Sequence, residues 1–62
     1  SVWYNELEKY DFKLTYSGGK KDYYIKEYRK DQGQITLYIR KKYITFNFQF
    51  GGLIEWEEKE KD

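Results

Sequence analysis

Apolar and polar residues alternate over four stretches, about 12–17, 21–30, 34–40 and 43–50, each rich in Tyr, Ile, Phe and Thr. Such residues at a period of two suit a pleated, half-buried surface. The stretches are separated by Ser17-Gly18-Gly19-Lys20, Asp31-Gln32-Gly33-Gln34 and Lys41-Lys42, and Gly51-Gly52 follows the last. These breaks predict turns, and the whole predicts a four-stranded antiparallel meander.

Turn geometry then predicts a register. A two-residue turn at Gly18-Gly19 pairs residue 14 with 23 and 12 with 25. A three-residue loop at Asp31-Gln32-Gly33, with Gly33 left-handed, pairs 25 with 39 and 27 with 37. A two-residue turn at Lys41-Lys42 pairs 39 with 44, 37 with 46 and 35 with 48. The inner face is then Phe12, Leu14, Tyr16, Tyr23, Ile25, Ile35, Leu37, Ile39, Ile44, Phe46, Phe48 and Phe50. Glu27 and Arg29 also fall inward by parity, which asks for a rim position or a bulge.

One apolar sheet face needs a cover. Trp3, Leu7 and Tyr10 recur at helical spacing, so residues 2–10 read as a short amphipathic helix. Leu53, Ile54 and Trp56 precede a charged run and suit a second short helix slightly better than a fifth strand. The predicted class is therefore α+β or mostly β: one small domain spanning 1–62, a four-stranded antiparallel meander with one face covered by short terminal helix or strand segments.

Composition changes this picture in three ways. Charged residues make up 37% and aromatics 23% of the 62 positions, so the rings supply the apolar area that a fold this small requires. There is no His and no Cys, which removes the commonest general base, the strongest nucleophile and any disulfide framework. The acidic residues lack calcium-loop spacing and no phosphate-loop glycine pattern occurs. The expectation is a non-enzyme without cofactor or metal. No apolar run approaches the ~20 residues of a membrane span and no signal-peptide pattern opens the chain, so a cytoplasmic protein without membrane contact is expected.

Charge is also unevenly placed. Residues 12–50 hold nine Lys/Arg against three Asp/Glu, while the flanking segments are acidic and bring the net charge to +1. By the predicted register, the outer face carries Tyr24, Tyr28, Tyr38 and Tyr43 interleaved with Lys13, Lys26, Lys30 and Arg40, and no carboxylate. Rings that stack on bases and cations that neutralise phosphates are the combination used by sheet-based binders of single strands. The candidate site is thus Tyr24, Lys26, Tyr28, Lys30, Tyr38, Arg40 and Tyr43. Lys20, Lys21, Lys41 and Lys42 extend the field from the turns.

Two other readings use the same residues. Tyr, Thr and Lys also furnish an ordinary solvated sheet face, because they pair well across strands and guard edges against aggregation. The surface suits a protein partner too, as in a small inhibitor or adaptor, a mobile-element factor acting through the same face or the acidic ends, or a homo-oligomer. Steep salt dependence marks the nucleic-acid reading, a specific partner the second, and a concentration-dependent mass self-association.

The register makes Phe46 an inward ring. Phe46→Ala should cost ~3–5 kcal/mol in denaturant unfolding, and a loss below ~1 kcal/mol would dismiss the pairing of 34–40 with 43–50 on which it rests.

Overall fold

The computed structural model describes residues 3–60. A 3-10 helix, Trp3–Tyr10, precedes five strands: β1 (Lys13–Gly19), β2 (Tyr24–Lys30), β3 (Gly33–Ile39), β4 (Tyr43–Phe50) and β5 (Leu53–Glu60). They form one antiparallel sheet in the order β1-β2-β3-β4-β5. The protein is mostly β, with five strands rather than four. Residues 53–60 extend the sheet instead of capping it as a helix. Gly51 and Gly52 have φ of +56° and +95°, the left-handed pair that a tight hairpin turn requires, and they send the chain straight back along β4.

The helix ends by a defined mechanism. Asp11 takes φ +69°, its N–H donates to Glu8 O, and the Phe12 N–H donates to Leu7 O. This is the Schellman arrangement, here with Asp in the left-handed position that Gly usually fills. Leu7 and Phe12, brought together by that cap, both pack against the core.

The β3–β4 register is the one predicted, with Ile35 opposite Phe48, Leu37 opposite Phe46 and Ile39 opposite Ile44. The β2 register is not. Tyr24 lies opposite Ile39, Lys26 opposite Leu37 and Tyr28 opposite Ile35, one residue away from the predicted pairing. The β2–β3 loop is the two-residue Asp31-Gln32, with Asp31 at φ +52°, and Gly33 is already paired with Lys30. Gly33 also stands where a side chain would crowd its neighbours. A Cβ there would stand 3.3 Å from the Phe50 ring and 3.4 Å from Lys30 O.

The first turn differs as well. Gly18 and Gly19 end β1, and the turn residues are Lys21-Asp22, closed by Lys20 N–H donating to Tyr23 O at 2.8 Å. A one-residue slip turns every side chain over, so all of β2 presents the opposite face from the one predicted. Tyr23, Ile25, Glu27 and Arg29 lie on the open face. Tyr24, Lys26, Tyr28 and Lys30 lie on the helix side. On β1 a bulge at Thr15 switches parity: Leu14 faces the helix side opposite Tyr28, while Tyr16 faces the open side opposite Glu27. Without it both would share a face, as the alternation alone predicts.

The core lies between the helix and the sheet and consists of Tyr4, Tyr28, Leu37, Ile39 and Ile44. Trp3 closes it over β4, its ring 5.3 Å from that of Phe46. Lysines roof the rim: Lys26 over Tyr4 at 5.4 Å, Lys59 over Trp3 at 5.3 Å and Lys30 over Phe12 at 5.6 Å. Each ammonium rests over a ring, a cation–π contact at the edge of the core. No helix among the described residues is long and apolar enough to cross a membrane.

Tyr28 tests the corrected register, since only 2% of it is exposed. Tyr28→Ala should cost ~3–5 kcal/mol by urea unfolding, whereas a residue on a solvated face would cost under ~1 kcal/mol. Burial, then the Glu8 carboxylate, then the Tyr4 phenol, raises the Tyr28 pKa above the ordinary 10.0. A folded pKa above the unfolded one contributes stability that is whole below pH ~10 and lost as pH rises through the folded value. Thermal melts should therefore show Tyr28→Phe losing less stability than the wild type between pH ~9 and ~11. Equal losses would show that Tyr28 does not control the alkaline transition.

Candidate functional site

Alternate hairpin turns of a meander emerge at the same end of the sheet. The Lys21-Asp22 and Lys41-Lys42 turns therefore lie together, and with Lys20, Lys26 and Arg40 they gather six cations at one end. The sequence repeats this placement every ten residues, at 21–22, 31–32, 41–42 and 51–52. A cleft of about 480 Å³ opens there, lined by Tyr4, Lys20, Asp22, Tyr23, Tyr24, Lys26, Ile39, Arg40 and Lys41. Asp22 is the only carboxylate among the described residues of its wall.

Arg40 is the organising side chain. Its guanidinium lies 5.2 Å from the Tyr23 ring centroid and 5.3 Å from that of Tyr43. Its Nη1 donates to Tyr38 O at 3.3 Å and to Thr45 Oγ1 at 3.1 Å. Two rings and two acceptors thus hold the fork in place, so little side-chain entropy remains to be lost on binding an anion. Tyr24 and Tyr43 flank it on the two sides of the sheet, 45% and 39% exposed.

The predicted site residues divide accordingly. Lys20, Lys21, Arg40, Lys41, Lys42 and Tyr43 come together at this end. Tyr24 and Lys26 join them from the helix side rather than the open face. Tyr38 sits further in on the open face, half-buried, 5.9 Å from Tyr23 and 6.2 Å from Trp56 between centroids. Tyr28 is in the core. Lys30 lies at the opposite end, above Phe12. The predicted single platform of four tyrosines is therefore divided between two faces, because β2 is turned over.

The open face is also not free of carboxylates. Glu27 lies on it and accepts from Gln34 Nε2 at 2.9 Å, and the strand register places Glu58 and Glu60 there opposite Thr45 and Tyr43. Tyr16, Tyr23 and Trp56 were not among the predicted site residues, yet all three are on this face. Two signals pointed to them: the inward Glu27 and Arg29 that the predicted register could not explain, and the ten-residue spacing of the turns.

Among the described residues, no group of three or more Asp, Glu, His or Cys could hold a metal ion. Compared with family models, curated proteins and solved structures, the chain shows no significant match.

Proposed function

We propose that this chain is a non-catalytic binding module that takes single-stranded nucleic acid at the cationic end of its sheet. The observation that carries the reading is the cleft that Lys20, Lys26, Arg40 and Lys41 line together with Tyr23 and the exposed Tyr24, with Asp22 as the only acid among the described lining residues; Lys21 and Lys42 lie in the two turns beside it. Turn lysines reach phosphates as mobile charges, and the ring-held Arg40 offers its remaining N–H donors to a phosphate oxygen. Tyr43 and Tyr24 present flat rings on which a base stacks, worth roughly 1–3 kcal/mol per base. Bases must be unstacked from a duplex to use such rings, which favours single strands.

A second reading is supported by a different observation. Trp56 is 61% exposed on the acidic β5, and an exposed Trp beside carboxylates suits a cationic protein partner better than a polyanion. In that case the oligonucleotide assay below fails.

Fluorescence anisotropy with a short labelled oligonucleotide, single- and double-stranded, distinguishes them. The single strand should bind more tightly, and its affinity should fall as salt rises. Changing Lys41 and Lys42 together to Gln should lower the magnitude of the log–log salt slope by about 1.4, since each single-strand phosphate contact accounts for about 0.7. Tyr43→Ala should weaken binding by roughly tenfold or more while leaving the circular dichroism unchanged. No binding at low salt, or equal binding of the duplex, would overturn the reading.

A further inference from the structure

Among the described strands only β1 has a shift in its pairing, and the shift sets a cation and a ring on the same face. Lys13 pairs with Arg29 and Tyr16 with Glu27, with the bulge at Thr15 between them. Strict alternation would put Lys13 and Tyr16 on opposite faces; the extra residue puts both on the open one.

At this end of β1, away from Arg40, Lys13 and Arg29 stand directly opposite one another. Like charges so placed cost stability. Beside them opens a cleft of about 420 Å³, lined by Asp11, Lys13, Thr15, Arg29, Lys30 and Asp31. The backbone accounts for its two acids. Asp11 at φ +69° caps the helix and Asp31 at φ +52° begins the β2–β3 turn, left-handed positions that Asp tolerates. Neither is in ion-pair contact with the cations; among the described residues the ion pair is Lys9 with Glu6, at 3.9 Å. Nothing in the local backbone accounts for the cations, and a phosphate oxygen is the partner that the Arg29 fork fits.

Between the two cationic ends lies a flat ring. A Cβ on Gly18 would stand 2.6 Å from the Tyr16 hydroxyl oxygen and 3.0 Å from its Cζ. The Tyr16 ring therefore lies along β1 over Gly18, with its other surface turned to solvent, and the residue is 45% exposed. A side chain at position 18 would lift that ring off the strand. A ring lying down in this way is a platform on which a base stacks.

We propose that the cleft at Lys13 and Arg29 is a second phosphate site, reached by a single strand that is held at the Arg40 cleft and runs along β1 over Tyr16. The inference rests on the function proposed above and gives it a path and a length. Glu58 and Glu60 on the open face of β5 repel a polyanion from the other edge, which directs the strand towards β1. Glu27 lies beside the path, but its carboxylate is engaged by Gln34 on β3 at 2.9 Å. From Tyr23 to Arg29 the chain advances six residues, about 20 Å at ~3.3 Å each. A stacked strand, at ~3.4 Å per nucleotide, needs about six nucleotides to join the two clefts, and one of about three reaches only the first.

Anisotropy titrations of the full chain with labelled oligothymidylates of about three and about ten nucleotides test this. The log–log salt slope should be steeper for the longer strand by at least about 1.4, for two further phosphates at about 0.7 each. Lys13→Gln with Arg29→Gln should lower the longer strand's slope by about 1.4 and its affinity by roughly tenfold, and leave the affinity of the shorter one within about twofold. Tyr16→Ala should weaken the longer strand at least about fivefold and spare the shorter. Circular dichroism checks that both variants are folded. Equal slopes for the two lengths, or a double variant that weakens both strands alike, would overturn the second site and leave the Arg40 cleft standing. If neither strand binds at low salt, the function proposed above falls and the second site falls with it.

Discussion

Every strand of this sheet is joined to the next by a two-residue turn, and that constraint governs what faces where. Across such a turn an even-numbered residue pairs with an odd-numbered one, so the inward positions change parity at each hairpin. Tyr28 is inward on β2, Leu37 on β3, Phe46 on β4. The turns recur every ten residues, which keeps the strands matched in length and brings alternate turns to the same end. A loop one residue longer anywhere would invert all that follows. Only β1 departs from the rule, and its bulge absorbs the difference by placing Leu14 and Tyr16 on opposite faces.

The small core shows how a chain so rich in charge folds at all. Its five buried residues include two tyrosines, Tyr4 and Tyr28, and its rim is finished by lysines lying on rings. Cationic side chains stand over rings at positions that aliphatic residues would fill in a larger domain. The helix is held at its C-terminal end by the Asp11 cap and along its length by Trp3, Tyr4 and Leu7 against the sheet. Since a 3-10 helix is intrinsically weak, that packing is what keeps it formed.

Charge is organised along two directions. Along the strands, one end collects the turn lysines and Arg40. Across the strands, the edge at β1 and β2 is cationic and β5 is acidic. The first direction suits a polyanion at the end of the sheet.

The sequence by itself determined the antiparallel meander, the N-terminal helix and the β3–β4 pairing. There, strict alternation of Ile, Leu and Phe with polar residues leaves one register that buries the apolar set. It also placed four lysines and Arg40 in or beside turns, and so most of the cationic end was legible. Strand β2 was not. Its segment Tyr23-Tyr24-Ile25-Lys26-Glu27-Tyr28 has tyrosines on both parities, and a tyrosine suits either face. Gly33 also looks like the left-handed end of a three-residue loop, although only the two-residue Asp31-Gln32 turn lets Tyr28 pack beside Leu37. Local propensity at the turn competes there with burial across strands, and burial is larger. Only the tertiary structure decided that Tyr28 is core, that Glu27 and Arg29 are outside, and that β5 completes the sheet, because each depends on contacts between residues distant in sequence.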